Sequence, residues 1–194
     1  MQNDNFQPIF DFLRLYRAIS ESDQTLINLQ LQFRKVKEGE VLLQQGKLAR
    51  ELFFVCKGIL KIVSFSDKGN PVTQFFLKEH RFCTILNSLN DSVPANESII
   101  AACDAELIVL SKDKLLHLYD AIPYFKDLTT TIFQQSLLEK IKVRNSYMGE
   151  DATTRYQKFI LQQPDIALRV PLSDVASYLG ITQQSLSRIR KNIR

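Results

Sequence analysis

Cysteine and histidine are scarce in this chain of 194 residues, with three of the first and two of the second. Cys56, Cys83 and Cys103 lie far apart in apolar segments and form no CxxC. That spacing excludes a disulfide framework and an iron–sulfur ligand set, and buried core thiols are expected instead. His80 and His117 make no HxH or HExxH pair, so a cupin-like metal centre lacks its ligands and a haem lacks a convincing axial residue. No GxSxG elbow and no P-loop appear. The chain therefore reads as a non-enzyme, with no catalytic residue, no metal site and no cofactor assigned. Long apolar runs are missing too: nothing approaches the roughly 18–20 residues that span a bilayer. The opening Met1-Gln-Asn-Asp-Asn lacks the basic-then-apolar order of a signal peptide. A cytoplasmic protein without a membrane partner is expected.

An excess of charge is sparing but unevenly placed. Lys and Arg number 25 against 21 Asp and Glu, a net +4. Residues 151–194 hold seven basic and three acidic side chains, so the whole excess sits there and residues 1–150 carry 18 of each sign. Clustered basic charge is the electrostatic footprint of phosphate contact. An excess of four binds weakly in one copy, and a dimer that doubles the contacts is expected. With 45% hydrophobic residues the chain has enough apolar material for one large or two smaller domains.

What is present is clearest at 170–191, Val-Pro-Leu-Ser-Asp-Val-Ala-Ser-Tyr-Leu-Gly-Ile-Thr-Gln-Gln-Ser-Leu-Ser-Arg-Ile-Arg-Lys. Two helices crossing steeply through a short turn need a small residue at the contact and a residue tolerant of positive φ at the corner; Ala176 and Gly180 stand there. Val175, Leu179, Ile181, Leu186 and Ile189 form the apolar seam. Gln183, Gln184, Ser187, Arg188 and Lys191 fall on the other face of the second helix. Thr182 precedes that helix as its N-cap. Gln pairs bidentately with adenine and Arg with guanine, so Gln183, Gln184 and Arg188 are the base-readout candidates. Thr182, Ser187, Arg190 and Lys191 are placed for phosphates. The plain alternative is an amphipathic helix pair with a solvated polar face. The chain stops three residues after Lys191, so any wing is expected from residues 166–170.

Upstream the periodicity changes twice. Residues 6–31 carry helical spacing broken by the cap-like Ser20-Glu-Ser-Asp, which predicts two short helices. Residues 33–111 alternate short apolar runs with turn signals, an all-β pattern in which 67–71 closes a hairpin. A short helix is expected at 112–119 and a long one at 123–147. The long one has a stripe of Phe125, Leu128, Ile132, Phe133, Leu137, Leu138 and Ile141, too broad for a lone surface helix. Phe125, Leu128, Ile132, Leu138 and Ile141 are the dimerisation candidates, with packing against the chain's own β-domain as the other use of the stripe. Gly149 and its small polar neighbours at 148–154 suggest a hinge.

The run Val36-Lys-Glu-Gly-Glu-Val-Leu-Leu-Gln-Gln-Gly, then Glu51-Leu-Phe-Phe-Val-Cys-Lys-Gly-Ile-Leu-Lys-Ile, resembles the start of the β-roll of the Crp/Fnr transcription regulators, with Gly39, Gly46 and Gly58 on its turn glycines. The helix-turn-helix at 171–191 follows in the family's order. The resemblance implies an α+β chain: a jelly-roll sensor domain at 1–122, a dimerisation helix at 123–148 and a winged helix-turn-helix domain at 149–194. It implies double-stranded DNA, a second copy of the chain and RNA polymerase as partners. It also implies a small-molecule effector, which the residues leave unidentified. The family's phosphate cassette is altered. Phe82-Cys-Thr stands where the family has Phe-Gly-Glu, and Ala95 falls on the position of the phosphate-binding arginine. Without that cation and that carboxylate a cyclic nucleotide loses several charge-assisted bonds, so cAMP is not the expected effector. The alternative function is a regulatory protein whose C-terminal unit binds a protein partner rather than DNA.

Overall fold

The computed structural model describes residues 4–66 and 69–193. A 3-10 turn at Asp4–Phe6 leads into α1 (Gln7–Arg14), and α2 (Glu21–Asn28) follows. Ile9, Phe10, Phe12 and Leu13 bury one face of α1, and the Ser20 hydroxyl caps α2 by accepting the Asp23 N–H at 3.1 Å. The β-region is built from β1 (Gln32–Val36), β2 (Val41–Leu43), β3 (Glu51–Lys57), β4 (Leu60–Phe65), β5 (Pro71–Leu77), β6 (Phe82–Cys83), β7 (Ser98–Ala101) and β8 (Ala105–Ser111). They form two antiparallel four-stranded sheets in the orders β1-β8-β3-β6 and β2-β7-β4-β5, the expected roll. Alternating apolar residues of both sheets meet between them, with Leu60, Ile99 and Leu107 wholly enclosed. The turn from β3 to β4 depends on Gly58. Its φ is +99°, and a Cβ there would lie 2.5 Å from that of Ala105, so only glycine lets β3 turn this close to β8. The β4–β5 hairpin pairs Phe65 with Pro71 as expected; Asp67 and Lys68 at its tip lie outside the described residues.

One helix was not expected within this region. Residues Leu86–Asp91 form α3, although Asn and Ser at this spacing read as turn residues. Burial decides it: Leu89 enters the core, and the enclosed Ser88 hydroxyl accepts the Ala49 N–H at 2.8 Å. Then follow α4 (Lys112–Ala121), capped by Ser111, and α5 (Phe125–Tyr147). The C-terminal unit comprises α6 (Ala152–Gln162), α7 (Pro164–Arg169), α8 (Leu172–Tyr178) and α9 (Gln183–Asn192).

Three expectations need correction. The wing at 166–170 is not there: Pro164 starts α7, Ile166 is buried beneath it, and no strand occurs among the described residues of 149–193. Proline's fixed φ suits a first helical turn, which favours helix over ribbon here. The dimer stripe is divided. Phe125, Leu128 and Ile132 are 3%, 6% and 2% exposed and belong to the roll's own core, so they are withdrawn from the dimer surface. Phe133 also turns inward, its ring 6.0 Å from that of Phe82. Leu137, Leu138 and Ile141 remain about half exposed, at 55%, 57% and 45%. Finally, of the three cysteines only Cys83 is fully buried; Cys56 and Cys103 are half-buried.

Candidate nucleic-acid interface

The helix pair at 172–192 is set by the residues its spacing singled out. Val175, Ala176, Leu179 and Leu186 are buried where α8 and α9 meet, with Ile181 and Ile189 half-buried at the edge. Gly180 makes the corner at φ +67°. Thr182 is extended at φ −75°, ψ 151°, and its Oγ1 accepts the Ser185 N–H at 3.1 Å while donating to the Ser185 hydroxyl at 2.9 Å. The cap thus uses the same hydroxyl that the sequence reading assigned to a phosphate. Gln183, Gln184, Ser187, Arg188, Arg190 and Lys191 are all exposed along one side of α9. The structure brings the readout and phosphate candidates onto a single open surface.

Charge is sorted around that surface. All three acidic residues of the segment are engaged elsewhere: Asp151 caps α6 by accepting the Thr153 and Thr154 N–H groups, Asp165 pairs with Lys78 at 2.8 Å, and Asp174 pairs with Lys61 at 2.6 Å. Lys158 is bound to Glu150 and Arg169 to Glu79. Arg155 lies against the turn, with its Nε buried and unpaired. Arg188, Arg190 and Lys191 have no ion-pair partner among the described residues; Arg194 lies outside them. Uncommitted cations collect on α9, and the last two also complement the helix C-terminus.

Sequence reading did not find how firmly this unit is seated on the roll. α8 packs along β5, where the Thr73 N–H donates to the Ser177 hydroxyl at 2.9 Å and the Phe76 ring lies 5.2 Å from that of Tyr178. Ile59 and Ala102, both residues of the roll, belong to the apolar cluster of the C-terminal unit with Phe159 and Leu186. The Lys61–Asp174 pair is nearly enclosed, with side chains 17% and 14% exposed. Arg169 grips Glu79 with two nitrogens at 2.6 and 3.1 Å. Burial opposes the charge on Glu79, but the Arg169 hydrogen bonds and the Gly58 N–H outweigh it, leaving its pKa below the usual glutamate value. These partners are about 90 to 113 residues apart, and no local pattern announces them.

The altered cassette is filled from within. Ala95 is 2% exposed and exchanges backbone bonds with the β2–β3 turn, its N–H to Lys47 O at 2.9 Å and its carbonyl from Gly46 N–H at 2.8 Å. The Thr84 hydroxyl donates to Glu51 O at 3.0 Å. These polar groups already have partners inside the protein.

This is a chain with a β-roll joined through a long helix to a helix-turn-helix. Residues 33–121 match the family model of the cyclic nucleotide-binding domain. Over most of the chain the fold is shared with solved structures, one of them assigned to the Crp/Fnr family. It is similar to FixK2 from Bradyrhizobium japonicum, with a TM-score of 0.72, 14% identity and 84% of both chains covered. It also resembles a Eubacterium rectale protein assigned to the Crp/Fnr family, with a TM-score of 0.74, 18% identity, and 94% of this chain and 87% of that one covered. Among curated proteins it is 26% identical over 186 residues to the potassium channel KOR1 of Oryza sativa subsp. japonica, covering 95% of this chain but only 20% of the channel. The chain thus spans about a fifth of that relative, and no helix among its described residues is long and apolar enough to cross a membrane.

Proposed function

We propose that the chain is a DNA-binding transcription regulator of the Crp/Fnr type that acts in the cytoplasm as a homodimer on a two-fold operator. The observation that carries this reading is the capped, exposed polar face of α9, which holds three cations without an ion-pair partner among the described residues, Arg188, Arg190 and Lys191, while the acids of the segment are engaged elsewhere. Gln183 and Gln184 lie in its first turn, where a recognition helix meets base edges, and Arg188 follows one turn further along the same exposed side. Ser187, Arg190 and Lys191 flank them for phosphates, and Thr182 sets the start of the helix. The half-exposed Leu137, Leu138 and Ile141 supply the apolar seam for a partner α5, which would set two recognition helices about 34 Å apart on successive major grooves. RNA polymerase is a further partner on this reading.

Selection of bound duplexes from a random pool tests it. Recovery of a two-fold site with salt-sensitive affinity is expected. Arg188→Ala should then relax preference at one base pair by about 1–3 kcal/mol, while Lys191→Ala should weaken all sequences alike. Uniform loss for both substitutions would remove the readout assignment. No binding to any duplex would favour a protein partner for this face.

A further inference from the structure

We propose that the cavity between β5, α5 and α7 is a binding site for a small aromatic carboxylate. Phe75, Phe76, Val143, Ile166 and Tyr178 give it apolar walls, and Lys140 supplies a cation. It is a cleft open on one side with about 150 Å³ of space, room for a single aromatic ring. A nucleotide is far too large. The site also lies outside the altered cassette, because a third of its lining comes from α5 and a further part from Gln163, Ile166 and Tyr178 of the C-terminal unit.

The charge of the ligand follows from Lys140. Its ammonium lies 5.1 Å from the centre of the Phe75 ring and has no carboxylate within 4.0 Å among the described residues. Burial lowers its pKa from the ordinary lysine value, while Cys83 and Glu97 act weakly in the other direction. The other charges at the rim are already matched, Arg81 with Glu139 at 3.0 Å and Lys78 with Asp165 at 2.8 Å. A half-buried cation without a counter-charge is costly, and an incoming carboxylate replaces what water and the protein fail to supply. The ring occupies the apolar walls and the carboxylate meets Lys140. Because the walls come from roll, long helix and C-terminal unit together, an occupant touches all three. Any effect of this ligand on DNA binding rests on the function proposed above; the binding itself does not.

Benzoate is the probe, titrated into the full chain up to roughly 10 mM, a range that captures millimolar affinity. Calorimetry should show saturable binding, with uncharged benzamide weaker by at least roughly tenfold. Lys140→Met should lose the same factor while raising the melting temperature of the ligand-free protein, since the unpaired cation is gone. Val143→Phe keeps the cation but fills the cavity, and should abolish binding even if the first variant folds poorly. Absence of saturable binding, equal affinity for benzamide, or unchanged binding in both variants overturns the site. Mobility shifts with and without benzoate separate the two proposals. Benzoate binding without any duplex binding removes the DNA reading and leaves the site, and duplex binding without benzoate binding does the reverse.

Discussion

Thr182 and Gly180 are single residues on which the orientation of α9 depends. The Thr182 hydroxyl satisfies an N–H that would otherwise be orphaned at the helix start, so Thr182→Ala should cost about 1 kcal/mol in urea denaturation. Gly180→Ala should cost about the same for a different reason. The nearest atom to an added Cβ is the tip of Arg155 at 3.5 Å, so the cost is the left-handed backbone and not a clash. Cys83 shows how burial governs chemistry at this scale. Desolvation pushes its thiol up to about 12, against a small opposing effect of Lys140, so hardly any thiolate exists near neutrality. Iodoacetamide at about pH 8 should leave Cys83 untouched in the native protein and alkylate all three cysteines in urea. Native labelling of Cys83 at the unfolded rate, read by mass spectrometry, would contradict the packing around β6.

Between elements, α7 and α8 are seated on the roll by ion pairs, of which Arg169–Glu79 responds to pH. The Glu79 pKa is depressed in the folded state, so its contribution is present above the unfolded glutamate pKa and fades as pH falls through the lower folded value. Acidification below about pH 4 should therefore release α7 before the roll unfolds. Protease cleavage near 164–170, followed with pH, measures this; Glu79→Gln should be cleaved readily at neutral pH too. Lys61–Asp174 differs because it is nearly enclosed. Removing one partner leaves the other charge buried, so Asp174→Asn should destabilise by about 3 kcal/mol, whereas a matched Lys61→Met, Asp174→Leu pair should recover most of it. Equal stability of the single and double variants would mean the pair is effectively solvated.

For the whole molecule, the partition of α5 limits the seam of the proposed homodimer to its second half. Its first half is consumed by the roll: Ile132→Glu would put a charge into a core position that is 2% exposed and unfold the domain. Leu138→Glu with Ile141→Glu alters only the half-exposed second half, where the fold does not depend on the substituted side chains. Light scattering should show this double variant as a monomer with native circular dichroism, and its operator affinity should fall by orders of magnitude as the paired half-site contacts are lost. A double variant that stays dimeric would move the interface away from α5.

Much of the architecture was legible because it is local. The period-two runs of 33–111, the 3.6 period of 125–147 and the Ala176, Gly180, Thr182 spacing of the helix pair each follow from interactions within a few residues, and the structure places them as those patterns imply. The shared exposed side of Gln183, Gln184 and Arg188 was legible for the same reason, since one helical face is a matter of spacing alone. What the chain's pattern left open was how its surfaces are shared. The apolar stripe of α5 has one periodicity whether it meets the roll or a partner, and only packing assigned Phe125, Leu128 and Ile132 inward. The short helix α3, the helical α7 in place of a wing, the clasps from Glu79 and Lys61, and the unpaired Lys140 beside its cavity all depend on groups many residues apart. Local spacing determined which faces exist; burial and long-range charge pairing decided what each face meets.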